Sequence, residues 1–343
     1  MNYSFLRRIL FSMKPETAHR VVMANLDWVV HFGLHKKLVD FPVEDPVRVM
    51  GLRFPNAVGL AAGMTPDGRC VSAFGGLGFG FVEVGTVTPR EGKPTAEPRR
   101  FRLLPVDGFI HRECGRSVDC DTMLANLKNA DPFRLRGGLV GISIGHNVLT
   151  AADNVLTDIE AAMEKVYAAA DYIALTASSL TAAADPGALI AGAAQKRDSL
   201  ADKTGKRVPL VAKLSPDTDN DTLKQTVRTL IASGFDGVIA ASSSAKILED
   251  IHGMAHSLEE GEVSGSPLFE RALEVVRLVR EEAGDKLAVI ASGGILSGID
   301  AVDMLNAGAE LVQLHTGLVY RGPALISECS DEIAQWRQRI DTN

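Results

Sequence analysis

The sequence predicts an α/β protein, a (β/α)8 barrel preceded by a small helical hairpin, and three observations carry that prediction. Eight short apolar runs recur after residue 55: NAVGLAA (56–62), FGFVEVG (79–85), LVGISIG (139–145), YIALTAS (172–178), PLVAKLS (209–215), GVIAAS (237–242), LAVIAS (287–292) and LVQLHT (311–316). Amphipathic segments such as 158–170, 222–234, 269–284 and 298–308 separate most of them. The runs are nearly continuous rather than alternating, which marks strands buried on both faces of a parallel sheet covered by helices. Eight such units close a barrel, and an open doubly wound sheet is the alternative.

The elements before the barrel have a different character. Residues 3–12 (YSFLRRILFS) and 15–32 (PETAHRVVMANLDWVVHF) read as two short helices. Pro15 suits a first turn, Glu16 complements the helix dipole, and Gly33 ends the second helix. Their apolar residues outnumber what one face of a short helix pair buries, and Arg7, Arg8, His19 and Arg20 flank them. Such a pair lies on a membrane surface or covers a hydrophobic opening, and simple packing against the barrel is the plainer alternative. Residues 1–40 are therefore expected to form a helical segment apart from a barrel of residues 41–343.

Composition narrows the function classes. With 343 residues, 46% of them hydrophobic, the chain can bury a large core, and its net charge of −7 without a basic run argues against a nucleic-acid partner. Cys70, Cys114, Cys120 and Cys329 show no C-x-x-C spacing and no secretory leader precedes them. A reduced, cytoplasmic setting is expected, with peripheral attachment to the inner face of the membrane through the N-terminal helices. No run approaches the roughly 20 apolar residues of a spanning helix. No H-x-H or H-x-x-E-H spacing predicts a metal site.

In such a barrel the chemistry sits at the C-terminal ends of the strands. The seventh and eighth strands end in SGGI (292–295) and HTG (315–317), each leading toward a helix. Backbone N–H groups of glycine turns at helix starts cradle anions, so a phosphorylated ligand is expected, with tight-turn duty alone as the alternative.

Motifs then cover nearly the whole chain: PETAH (15–19), GLAAG (59–63), GTVTPR (85–90), FRL (101–103), the G-I-x-I-G frame at 141–145, DGVIA (236–240), SGxPL (264–268), GGI (293–295) and LVQ followed by TG (311–317). With these the sequence resembles the class 2, quinone-linked dihydroorotate dehydrogenases. The resemblance implies a barrel that binds FMN, takes hydride from dihydroorotate, and passes electrons to a quinone through a tunnel under the N-terminal helices. It implies that Ala62 and Gly63 approach the flavin ring backbone-first and that Thr86 meets the ring's polar edge. Lys213 would stabilise the N1/O2 side of reduced flavin, and Gly265, Gly294, Thr316 and Gly317 would hold the phosphate. His19 and Arg102 match positions near the quinone tunnel.

The substrate side departs from the family. Pro66 stands where the family has a lysine, and His111, Ser143, Thr176, Thr181 and Ser242 stand where it clamps the substrate ring with asparagines. Each unsatisfied polar group costs roughly 1–3 kcal/mol, so losing several weakens dihydroorotate binding severely. Ser179 keeps the position of the family's general base, in a stretch (ASSLTAAADPG) that reads as a loop. The segment FIHRECGRS (109–117) matches the loop that in the family covers the substrate, so the resemblance implies that His111 and Cys114 reach the site, while His146 replaces a family lysine. Ser179, His111, Cys114 and His146 are the candidate catalytic residues.

The function expected is thus an FMN-dependent oxidoreductase that diverged from a dihydroorotate-oxidising ancestor, acts on a different small anionic substrate, and keeps a quinone acceptor. Two alternatives stay open: a genuine dihydroorotate dehydrogenase (quinone) of pyrimidine biosynthesis, and a catalytically silent flavin-binding or regulatory paralogue.

Overall fold

The computed structural model describes residues 3–37, 42–93, 97–112, 117–251 and 253–342. Eight parallel strands form the centre: β1 (Val58–Leu60), β2 (Phe81–Thr88), β3 (Leu139–Ile144), β4 (Tyr172–Leu175), β5 (Leu210–Leu214), β6 (Gly237–Ala240), β7 (Ala288–Ser292) and β8 (Leu311–Leu314). Each pairs with the next, and β8 pairs back to β1 with Val312 opposite Val58, so the sheet is closed. This is the expected barrel, each strand lying within its apolar run except β2, which continues three residues past it to Thr88. Helices including Val155–Val166, Asn220–Ala232, Phe269–Ala283 and Gly298–Asn306 lie where the amphipathic segments fall.

Burial explains the runs. Val82, Ile142, Ile173, Val211, Val238 and Ile290 are fully buried, because adjacent strand positions face either the barrel interior or the helix layer and neither face meets water. Two N-terminal helices, α1 (Tyr3–Phe11) and α2 (Pro15–His31), form as expected. Phe5, Trp28 and Phe32 on them remain exposed at 59%, 57% and 60%. Among the described residues no helix is long and apolar enough to cross a membrane.

Two readings of local structure need correction. Gly108–His111 is a strand rather than loop, paired antiparallel with Arg100–Leu103 on one side and Glu262–Gly265 on the other. Asp107-Gly108 between two apolar-rich runs is the hairpin signal that marks it. The Ser/Thr/Ala-rich stretch after β4 forms a short helix, Ala177–Ala182, because Leu180 and Ser179 are buried against the barrel and packing decides a segment of neutral propensity. Pro186 then opens a long helix, Pro186–Thr204, capped by the Asp185 side chain on the Ala188 N–H.

Candidate active site

One cavity of about 970 Å³ opens at the C-terminal ends of the strands and continues beneath α1 and α2. Its size falls at the upper end of the roughly 300–1,000 Å³ typical of small-molecule and cofactor sites. Its walls have three chemically distinct parts.

The first part is built by β5, β7 and β8, with Glu83 of β2 and Tyr172 of β4 beneath them. Lys213 Nζ lies 2.6 Å from Glu83 Oε1, and Glu83 is fully buried. The Tyr172 hydroxyl and Gln313 Nε2 each donate to Glu83 Oε2 at 2.9 Å. Burial, then the neighbouring Glu83 charge, push the Tyr172 phenol well above its ordinary range, so it stays a donor. Because Gln313 turns its amide nitrogen to Glu83, its Oε1 faces away and is a buried acceptor without a protein partner among the described residues, on the cavity wall. Gly293 and Gly294, at φ 114° and 75°, turn the chain at the end of β7 in a conformation that side chains avoid. A Cβ on Gly265, Gly294 or Gly317 would collide with neighbouring backbone, so packing alone already demands glycine there.

These features fit FMN. The lysine offers a cation where a reduced ring gathers charge, the glycine turns offer backbone donors for a phosphate, and Gln313 Oε1 is an acceptor that a ring N–H would fill. Ala62, Gly63, Thr86, Lys213, Gly265, Gly294, Thr316 and Gly317 all line this cavity. The site therefore brings together every residue expected to hold the cofactor.

The second part lies at the ends of β2, β3 and β4 and is made of hydroxyls and an imidazole. Thr86 Oγ1 and Ser143 Oγ are 3.1 Å apart, with Ser143 fully buried behind Thr86. Ser178 Oγ donates to Thr176 Oγ1 (3.2 Å), which lies 2.8 Å from Ser179 Oγ. Ser179 Oγ in turn accepts from the His146 backbone N–H (3.2 Å) and lies 3.0 Å from His146 Nδ1. Burial lowers the His146 pKa below its ordinary value, with Asp158 pulling the other way. Pro66, His111, Thr181 and Ser242 also line the cavity. The Thr181 hydroxyl is turned back on its own helix, toward the carbonyls of Ala177 and Ser178. Cys114 lies outside the described residues.

The third part is the underside of α1 and α2, with Leu6, Leu10, Ala18, Met23 and Leu26 facing the cavity. Several side-chain contacts fix these helices to the barrel. Arg102 donates to the carbonyls of Leu10, Phe11 and Met13 and stacks 4.5 Å from the Phe11 ring centre, which satisfies the open end of α1. Glu16 Oε1 accepts from the backbone N–H groups of Arg99 (2.7 Å) and Arg100 (3.0 Å). His19 Nε2 donates to the Met64 carbonyl at 3.1 Å, tying α2 to the turn after β1.

His315 joins the three parts, and sequence reading named it only as a strand end. Its ring nitrogen comes within 3.4 Å of where a Cβ on Gly63 would lie. Burial first, then the nearby positive groups His111, Arg100, His19 and Lys213, hold its pKa down at about 3, so it is a neutral imidazole. Glu83, Gln313 and Asp158 were also missed. A polar residue inside an otherwise apolar strand, as at Glu83, is the signal that could have found the first of them.

Fold and rim together describe a barrel whose mouth sets a cradle of glycine turns and a lysine opposite a wall of hydroxyls. Residues 46–336 match the family described as Dihydroorotate dehydrogenase. A dihydroorotate dehydrogenase (quinone) of Chromobacterium violaceum is 39% identical over 98% of this chain and 99% of its own length. The protein of that name from Teredinibacter turnerae is 40% identical over 97% and 99%. A crystal structure of an Eimeria tenella DHODH in complex with ferulenol superposes with a TM-score of 0.85 at 28% identity, covering 96% of this chain and 93% of that one. The chain belongs to the dihydroorotate dehydrogenase family of FMN-dependent oxidoreductases.

Proposed function

We propose that this chain is a quinone-linked flavin dehydrogenase, oxidising a small substrate at the hydroxyl-lined wall and discharging electrons to a quinone beneath α1 and α2. The observation that carries this reading is the continuity of one cavity from Lys213 and the glycine turns to Leu10 and Ala18. When bound, the flavin supplies a hydride acceptor. The chain's own part is to hold Lys213 in place through Glu83, to exclude water with α1 and α2, and to present polar groups to the substrate. The exposed Phe5, Trp28 and Phe32 on the outer side of the same helices support contact with a membrane surface, where a lipid-soluble quinone partitions.

For the substrate, the relatives named dihydroorotate dehydrogenase (quinone), aligned over nearly their full length, support dihydroorotate, and this reading is taken first. A second reading, another small anion, is favoured by one specific observation. The wall carries Pro66, Thr176, Thr181 and Ser242, with no lysine or amide at those positions to grip a planar ring by paired hydrogen bonds.

Anaerobic mixing of the yellow, FMN-loaded protein with dihydroorotate separates the readings. Rapid bleaching with orotate as product supports the first. A flavin that dihydroorotate leaves oxidised, but that another carboxylated compound bleaches, supports the second. Colourless protein that cannot take up FMN overturns both and returns the silent paralogue.

A further inference from the structure

Resting on the reading that a substrate is oxidised at this wall, we propose that His146 is the proton acceptor and that Ser179 is the positioning residue that orients it. The family resemblance gives the base role to Ser179, but here Ser179 is fully buried and its hydroxyl is enclosed by Thr176 Oγ1, the His146 N–H and the His146 ring. It is not part of the cavity wall, whereas His146 and Thr176 are. Neighbouring strand ends bring them together: β3 and β4 pair with Ile144 opposite Leu175, so His146 and Thr176 leave adjacent strands side by side. Gly145 between them lets the wall close, since a Cβ there would lie 2.9 Å from Thr86 Cγ2 and 3.2 Å from Thr176 Oγ1.

Hydrogen-bond counting gives the consequence. Ser179 Oγ has one proton and two lone pairs, and one lone pair takes the His146 backbone N–H. Two proton arrangements satisfy Ser179: it accepts from Thr176 and donates to Nδ1, or, in the proposed arrangement, it accepts Nδ1–H and donates to Thr176 Oγ1, which leaves a lone pair on His146 Nε2. Among the described residues Nε2 has no protein partner, so that lone pair is available to a substrate. Burial keeps the imidazole uncharged at neutral pH, as an acceptor requires. The charged and titratable groups around it are Asp158 on the helix Val155–Val166, Arg90 beyond Asp158 (3.5 Å), and His111 and Lys213 on the same cavity.

The substrate class is a compound with a CH–CH unit next to a carbonyl. The C–H bond beside the carbonyl breaks, its proton goes to Nε2, and its electron pair forms the new C=C bond. With a flavin bound as acceptor, the neighbouring carbon would give up its hydride to it, and the imidazolium at His146 would return its proton to solvent.

The test uses the full-length, FMN-loaded protein. Long-range proton–nitrogen spectra of histidine-labelled protein, with His146 assigned by its loss in His146→Asn, read the tautomer without any substrate. The expected result is Nδ1–H with an unprotonated Nε2 in the neutral ring, shifting toward Nε2–H in Ser179→Ala. Nε2–H in the wild type, or no shift in Ser179→Ala, overturns the assignment.

A second arm follows anaerobic bleaching by dihydroorotate across the pH range that spans imidazole titration. His146→Asn is expected to lose about a hundredfold or more and the limb that rises with pH, and Ser179→Ala about tenfold with that limb kept but shifted. A His146→Asn rate within about threefold of wild type overturns the role. Should dihydroorotate leave even the wild-type flavin oxidised, the substrate reading fails alone, and the tautomer still decides the assignment.

Discussion

The two sides of the barrel mouth are built by different means. The β5, β7 and β8 side is built from backbone turns and from Lys213, whose buried ion pair reaches across to Glu83 of β2 and is locked by Tyr172 of β4 and Gln313 of β8. The β2, β3 and β4 side is built from short hydroxyls and one imidazole, linked Ser178–Thr176–Ser179–His146. The first arrangement cannot change one member without stranding a buried charge. In the second, neutral hydroxyls swap partners at small cost, so this wall is where substrate choice is free to move.

Breaking the ion pair should therefore cost most. Lys213→Ala leaves the Glu83 carboxylate buried without its cation, and denaturant unfolding should show a loss of about 3–5 kcal/mol. Adding Glu83→Gln to that variant should recover much of it. Thr176→Val on the opposite wall should lose only about 1 kcal/mol. Equal losses on both sides would erase the contrast.

Acid stability probes the group between the two sides. His315 binds fewer protons folded than unfolded whenever pH lies between its folded value of about 3 and the ordinary 6.5. Its contribution is thus whole above pH 6.5 and drains away as pH falls toward 3, on the order of a few kcal/mol in all. His315→Phe should flatten the stability profile across that window. An unchanged profile would mean the imidazole is hydrated and charged.

Smaller effects sharpen the picture at the edges. Arg102→Ala removes the cap on α1 and should cost about 2 kcal/mol locally, seen as faster hydrogen exchange in residues 3–13 with the barrel unchanged. Gly145→Ala should cost roughly 1 kcal/mol, since Thr86 and Thr176 can each yield slightly.

The contrast also explains what the sequence made legible. Strands and the residues proposed to hold the cofactor were readable because apolar runs, glycine turns and Lys213 in VPLVAKLSP are local patterns. His111 was placed in the cavity correctly but on the wrong element, since pairing Gly108–His111 with Glu262–Gly265 joins segments more than 150 residues apart. The burial of Ser179 behind Thr176 was equally hidden. A Ser/Thr/Ala stretch has no strong preference of its own, and only packing against β4 and β5 makes it helical. His315 escaped because its low pKa comes first from burial and then from His111, Arg100, His19 and Lys213, which the fold brings in from separate elements.

The central claim, that flavin and quinone share one chamber, is tested most directly without the unknown substrate. FMN-loaded protein is photoreduced anaerobically and mixed with a soluble ubiquinone analogue, in the wild type and in Ala18→Trp, which fills the cavity beneath α2. Saturable reoxidation in the wild type, slowed about tenfold or more in Ala18→Trp with an unchanged flavin spectrum, is the predicted result. Equal reoxidation in both would place the quinone elsewhere and contradict the account.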